Sequence, residues 1–227
     1  MLELIQPISK RDQVVRAMKE AILTGTIEPG ASIVESKIAQ QLGAGVPLIR
    51  EALIELEHQG FVQRTPYKGT TVTKLSPADV RRIFALRVEL EAIAIEWAKH
   101  NATESDIESL RQEIAKMETA AQVLDLPQFY DGDLAFHRKI WSLSGNSYLV
   151  DALERLVVPL FAFFVMKTSR QQASYVESAC MHKKIVDAIP SKTAVELREL
   201  FRESLVNWKD DMVMLLFNDN EGEKIAD

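Results

Sequence analysis

The sequence has little of what several common classes of protein depend on. It contains one cysteine, Cys180, in 227 residues, which excludes an internal disulfide framework and any cysteine-rich zinc module. No apolar run reaches the roughly 18 residues that would suggest a membrane span. The N-terminus also lacks the basic flank and the cleavage site of a signal peptide. With 47% hydrophobic and 26% charged residues, the composition is typical of a globular protein, and we expect a cytoplasmic location with no membrane partner.

Charge is unevenly distributed along this chain, whose formal net charge is −6. Residues 1–75 contain nine basic and eight acidic residues, whereas the remainder contains 18 basic and 25 acidic residues. The acidic chain as a whole is therefore no indiscriminate binder of polyanions. Its N-terminal third is compatible with an approach to DNA, because local charge governs that encounter.

The first 75 residues have the pattern of a winged helix-turn-helix. Apolar periodicity and turn signals predict three short helices over residues 12–23, 35–42 and 47–58. Two β-type runs, residues 61–64 and 70–73, then flank a Pro-Tyr-Lys-Gly segment that is typical of a hairpin.

The remaining residues, 76–227, predict an all-α antiparallel bundle. Capping-box signatures at Ser76, Thr103 and Thr193 indicate helix starts. Apolar residues keep a helical period after Ser76 and Thr103, and further helices are predicted over residues 128–143, 147–167, 172–189 and 194–217. Six helices with short connections favour a bundle. We therefore predict a mainly α protein with two domains, residues 1–75 and 76–227.

The N-terminal segment resembles the DNA-binding domain of the GntR family of bacterial transcription regulators. The residues that carry the resemblance are Ala21-Ile-Leu-Thr-Gly25, Ile27-Glu-Pro-Gly30, Glu35, Ile38-Ala39, Leu42-Gly43, Arg50-Glu-Ala-Leu53, Leu56, Gly60-Phe-Val62 and Gly69-Thr-Thr-Val72. The bundle resembles the ligand-sensing FCD domain of the FadR-type branch of that family. The resemblance implies a homodimeric, ligand-responsive repressor that binds double-stranded operator DNA and is not an enzyme.

In such a regulator the third helix enters the major groove and the wing contacts the neighbouring minor groove or backbone. The family's usual Val-Ser-Arg-Thr-Pro-Val is here Ala44-Gly-Val-Pro-Leu-Ile49, so Gly45 and Val46 replace its Ser and Arg. Arg50 is the principal candidate for a DNA contact, because a guanidinium can bind guanine or phosphate bidentately. The alternative is that Arg50 pairs with Glu51 or Glu55. Candidate phosphate contacts are Lys37, Arg64, Lys68, Thr70 and Thr71.

Three polar residues lie on apolar stripes of the bundle. Asp133 and His137 share one helix face, and His182 is in phase with apolar residues of a later helix. One oxygen and two nitrogens can ligate Zn²⁺, Ni²⁺ or Mn²⁺, whereas a buried Asp–His pair without metal fits the residues alone. The resemblance favours metal, because metal-binding FCD domains use Asp-x-x-x-His with two further histidines. The position of the fourth ligand falls on Ser204, so we expect a three-ligand metal site or a metal-free polar pocket.

Three residues are candidates for binding an effector. Arg87, in phase with apolar residues of the first bundle helix, is suited to hold the carboxylate of a small organic acid, or else pairs with Glu91 four residues on. Asn146 corresponds to an asparagine that is frequent near the family's pocket, or else caps the helix that begins at Ser147. Ser204 is the third candidate, because it faces the bundle interior.

Two other functional classes remain open on the sequence. A small metalloenzyme would use Asp133, His137 and His182 with a metal-activated water. A regulator homologue that has lost DNA binding would retain the fold as a structural or protein-binding bundle, which the replacements at Gly45 and Val46 leave open.

Overall fold

The computed structural model describes residues 9–67, 69–168 and 172–217, without the side chains of residues 172–174 and 209–212. Contacts divide the chain into two compact units, one ending at Lys74 and the other beginning at Leu75. Within these described ranges, the first unit contains three helices and three short strands, and the second contains six helices. The prediction of a mainly α protein, with a winged helix-turn-helix followed by a helical bundle, is confirmed.

The first unit is built around a small apolar core. Its elements are α1 (Lys10–Leu23), β1 (Ser32–Ile33), α2 (Glu35–Leu42), α3 (Val46–His58), β2 (Val62–Thr65) and β3 (Gly69–Val72). Met18, Ile22, Ile49 and Leu53 are buried where α1 packs on α3. The turn between α2 and α3 requires Gly43, whose φ of 61° lies in the left-handed region that glycine adopts without a steric penalty.

The sheet has one more strand than the sequence predicts. Besides the hairpin of β2 and β3, the two residues Ser32–Ile33 form β1, which pairs antiparallel with Thr71 and Thr70 of β3. The strand order is therefore β1-β3-β2. A two-residue strand is too short to show an alternating pattern, so only its pairing partner reveals it.

The second unit is an all-α bundle. Its helices are α4 (Pro77–Asn101), α5 (Glu104–Val123), α6 (Leu126–Leu143), α7 (Ser147–Lys167), α8 (Gln172–Ala188) and α9 (Ala194–Phe217). The capping boxes predicted at Ser76, Thr103 and Thr193 are all formed. Helix α4 packs against α6, α7 and α9, while α5 packs against α6 and α8. In the ranges described, no helix combines the length and the apolar character needed to cross a membrane.

Candidate functional site

Asp133, His137 and His182 come together inside the bundle. Asp133 and His137 lie one turn apart on α6, and His182 lies on α8. The two Nε2 atoms are 3.0 Å apart. Asp133 Oδ1 is 3.2 Å from Nε2 of His182 and 4.0 Å from Nε2 of His137. Both histidines are buried, and the carboxylate is partly exposed. The structure thus brings together the three residues that the sequence proposed as metal ligands.

The orientation of His137 is fixed by Glu91, a buried carboxylate on α4. Glu91 Oε1 lies 2.7 Å from Nδ1 of His137 and accepts a hydrogen bond from Nε1 of Trp141, while Oε2 accepts one from Nε of Arg87. Burial alone would raise the pKa of Glu91, but the charges of Arg87 and His137 and the hydrogen bonds outweigh it and lower that pKa to about 2. Because an ionised carboxylate only accepts, Nδ1 of His137 carries the hydrogen.

The orientation of His182 is fixed by its own helix. Its Nδ1 lies 2.6 Å from the carbonyl oxygen of Ser178, one turn earlier, and a carbonyl only accepts. Burial lowers the pKa of His182 to about 4, against the opposing attraction of Asp133, so the ring is neutral at pH 7. Its hydrogen is therefore on Nδ1, and its Nε2 presents a lone pair.

Three ligand atoms thus lie together at one place. The two Nε2 atoms are 3.0 Å apart, beside the carboxylate oxygen of Asp133. Either a hydrogen bond between the two rings or a metal ion can join them. For metal–ligand bonds of about 2.0–2.1 Å, two ligands on neighbouring corners of one ion lie roughly 2.9–3.4 Å apart. The distances of 3.0 and 3.2 Å fit this range, whereas the 4.0 Å between Asp133 Oδ1 and Nε2 of His137 exceeds it, so the Asp133 carboxylate would have to move closer to His137 to share an ion. The outer hydrogen bonds to Glu91 and Ser178 are those that metal-bound histidines have.

The surroundings of the two rings are apolar and tightly packed. Phe136 lies edge-on to His182, and Phe161 lies edge-on to His137. A small internal space, which we call the inner cavity, has a volume of about 10 Å³. Its lining includes His137, Met181, His182, Phe201 and Ser204. Ser204 donates its hydroxyl hydrogen to the carbonyl of Leu200, one turn earlier, so its oxygen is engaged by its own helix although it faces the cavity.

The other two effector candidates have the structural partners that the sequence offered as alternatives. Arg87 is buried and pairs with Glu91 at 2.6 Å, and Asn146 Oδ1 caps α7 by accepting from the amides of Tyr148 and Leu149. Among the described residues, the inner-cavity lining includes neither of them.

The sequence predicts Glu91 only as a partner of Arg87 and does not predict a role for Trp141. The available signal was the position of Glu91 between Val88, Ala92 and Ile95 on the buried face of α4.

The candidate DNA contacts are distributed over α2, α3 and the wing. Arg50 is 63% exposed, and its Nε donates to Glu35 Oε2 at 2.6 Å rather than to either acid on its own helix. Arg64 Nη2 donates to the carbonyl of Arg50, and Lys37 is exposed. Thr70 is buried beside Val72 on the inner face of β3, so its hydroxyl is not presented to a phosphate, whereas Thr71 is half-buried. Lys68 lies outside the described residues.

Both units match known protein families. Residues 10–72 match the family described as bacterial regulatory proteins, gntR family, and residues 82–207, more than half of the chain, match the FCD domain. The chain belongs to the GntR family and carries an FCD domain.

Curated relatives of this protein are transcription regulators from several bacteria. It is 28% identical to the HTH-type transcriptional regulator McbR and 27% identical to the HTH-type transcriptional repressor RspR, both of Escherichia coli K12, over 64% and 66% of its own length. The matched segments span just under two thirds of those relatives, 66% and 65%. A probable D-xylose utilization operon transcriptional repressor of Paenarthrobacter nicotinovorans is 29% identical over 74% of this chain and 73% of its own.

Solved structures show the same fold. Escherichia coli McbR/YncC superposes with a TM-score of 0.68 at 23% identity, covering 94% of this chain and 99% of that one. A putative GntR regulator from Rhodococcus sp. RHA1 superposes with the same TM-score at 17% identity, covering 91% and 98%.

Replacing Glu91 by Gln tests the buried network without changing its shape. The amide cannot neutralise Arg87, and a broken buried ion pair costs about 3–5 kcal/mol. We therefore expect Glu91→Gln to lower the free energy of unfolding by about 3 kcal/mol at pH 7, measured by urea denaturation. The matched control is Glu89→Gln on the same helix, whose carboxylate pairs with Arg202 at the surface and for which we expect less than about 1 kcal/mol. Equal losses in the two variants would contradict this description of Glu91.

Proposed function

We propose that this GntR-family protein is a repressor that binds operator DNA as a homodimer and responds to a small organic acid through a divalent metal ion held by Asp133, His137 and His182. The proposal of a metal ion rests on the convergence of two buried Nε2 atoms and a carboxylate oxygen. Relatives whose names describe them as repressors support the direction of regulation.

In this proposal α3 is the helix that reads DNA. Arg50 extends from its exposed face, and the guanidinium is held against Glu35 of α2, so its orientation is fixed before DNA arrives. Lys37, Arg64, Lys68 and Thr71 are the proposed phosphate contacts. Gly45 and Val46 leave the start of α3 without the hydroxyl and guanidinium that are usual in the family, and Gly45 makes no side-chain cap to the helix. We infer that this regulator prefers a different operator from its relatives.

The metal ion would be of the class that imidazole and carboxylate prefer, Zn²⁺, Ni²⁺ or Mn²⁺. Three protein ligands leave coordination positions for an effector carboxylate. Arg87 contributes indirectly, because its charge keeps Glu91 ionised and Glu91 holds His137. Arg87 and Glu91 are thus positioning residues for the metal ligands.

The dimer would form along α4. Ile83, Leu86, Leu90, Ile93 and Trp97 recur at spacings of three and four, which makes one apolar stripe. Leu86 and Trp97 are 55% and 39% exposed, and the other three are partly exposed. The opposite face of α4 is already buried in the bundle, so the stripe is left for a second copy. Two copies would add the binding energies of two half-sites, which a single winged helix lacks.

Arg50→Ala is expected to weaken operator binding by about 1–3 kcal/mol if the guanidinium contacts a base edge. Fluorescence anisotropy, with a DNA selected by the wild-type protein from its own upstream region, measures this change. Arg111→Ala, which removes the same charge from the bundle surface, is the control and should bind as the wild type does. Val46→Arg should strengthen binding to a family-type operator. Unchanged affinity of Arg50→Ala on every bound DNA would exclude α3 as the recognition helix.

Elemental analysis after identical dialysis against a mild chelator tests the metal site. The wild type should retain a divalent metal less well than Ser204→His, which places an imidazole at the position of the family's fourth ligand. His137→Ala should retain none, whereas the control His100→Ala, at the exposed end of α4, should match the wild type. Near-zero metal in all four proteins would mean that Asp133, His137 and His182 form a metal-free polar cluster.

Leu86→Glu is expected to shift the protein from a dimer of 25.6 kDa chains toward the monomer, because a carboxylate would have to be buried at the stripe. Light scattering at micromolar concentration measures the mass. Val123→Glu, which places the same charge at a 71% exposed position on α5, should leave the dimer intact. A wild type that is monomeric with and without DNA would contradict the proposed dimer.

A further inference from the structure

The inner cavity is too small for the effector that the proposed function requires. Its volume of about 10 Å³ is close to the minimum of roughly 10–15 Å³ for one water molecule. A metal ion fits beside His137 and His182, but an organic acid does not. Side chains must therefore move before an effector carboxylate can reach the ligand atoms.

A much larger space lies on the protein surface between α8 and α9. This space, which we call the outer groove, has a volume of about 300 Å³, at the lower end of the range of small-molecule pockets. The residues that line it include Glu177, Ser178, Met181, Lys184, Ser204 and Trp208. Acidic, basic and apolar side chains thus all line the groove.

The outer groove and the inner cavity share two residues, Met181 and Ser204, which line both. Ser204 has a short side chain whose hydroxyl is turned back to Leu200, so it fills little of the space between them. Met181 is half-buried and has an unbranched side chain that changes rotamer readily. Between groove and cavity, Met181 is thus the side chain best able to move aside.

We propose that the gap between Met181 and Ser204 is the route by which a divalent ion and a small carboxylate reach Asp133, His137 and His182, and that Met181 is its gate. The inference rests on the proposed metal site and names its entrance. Lys184, an exposed residue that lines the groove, is the cationic group that an incoming carboxylate would meet before it passes the gate. Ser204, at the position of the family's fourth ligand, leaves space for this route because its side chain is small.

The rate at which bound Zn²⁺ passes to a chromogenic chelator tests the gate, in a stopped-flow experiment on the full-length protein. Met181→Ala should release Zn²⁺ at least tenfold faster, and Ser204→Leu at least tenfold slower, because the first opens the gap and the second fills it. The dissociation constants for Zn²⁺ should stay within about threefold of the wild-type value, because neither side chain is a ligand. Met214→Ala, at an exposed position near the end of α9, is the matched control and should release Zn²⁺ at the wild-type rate.

The single cysteine provides a second test that leaves the gate residues unchanged. Cys180 is exposed and lines the outer groove, so a bulky maleimide attached to it should occupy the groove and slow Zn²⁺ release from the wild type. Cys180→Ser, treated with the same reagent, should release Zn²⁺ at the untreated rate.

The possible results separate the two proposals. If Met181→Ala, Ser204→Leu and the wild type, with and without the maleimide label, all release Zn²⁺ at the same rate, the proposed gate is wrong. The proposed metal site would still stand. A wild type that binds no Zn²⁺ at all would overturn the metal site and the gate together.

Discussion

Burying the charge of Glu91 between α4 and α6 is the constraint on which the bundle's interior depends. A carboxylate without partners would be very costly in this environment. Glu91 is satisfied by three donors that sit on two helices, namely Arg87 on α4 and His137 and Trp141 on α6. Its pKa remains low, so the charge persists at neutral pH. The register of α4 against α6 is thereby tied to one small set of hydrogen bonds.

The hydrogen bond from His137 to Glu91 also helps to decide which ring atoms face the candidate metal site. Nδ1 of His137 donates a hydrogen bond to Glu91, and Nδ1 of His182 donates one to the carbonyl oxygen of Ser178. Both Nε2 atoms are therefore turned toward each other. A protein needing only packing at this place would use apolar side chains of similar volume, which are often as stable as a buried charged network. The network instead brings two imidazole nitrogens and a carboxylate oxygen of Asp133 together, which is the arrangement that the proposed metal ion requires.

Features encoded by neighbouring residues, such as helix caps and apolar periodicity, could be predicted from the sequence. Side-chain pairs between different helices could not. The signal for each helix start, at Ser76, Thr103 and Thr193, lies within four consecutive residues. The structure has all three capping boxes. The inward positions of His137 and His182 follow from apolar periodicity. The partner of Arg50 is Glu35, which lies on another helix and fifteen residues away in the sequence. Glu91 accepts a hydrogen bond from Trp141, which lies fifty residues away in the sequence. No periodic signal encodes such pairs, because they depend on how helices pack.

Anomalous X-ray diffraction from crystals of the protein, purified without chelator and equilibrated with Zn²⁺, would show whether Asp133, His137 and His182 hold a metal ion. We expect one anomalous peak at the zinc edge about 2.0–2.2 Å from Nε2 of His137, Nε2 of His182 and an oxygen of Asp133. A map with no peak at that place would contradict the proposed metal site. Asp133, His137 and His182 would then form a metal-free polar cluster.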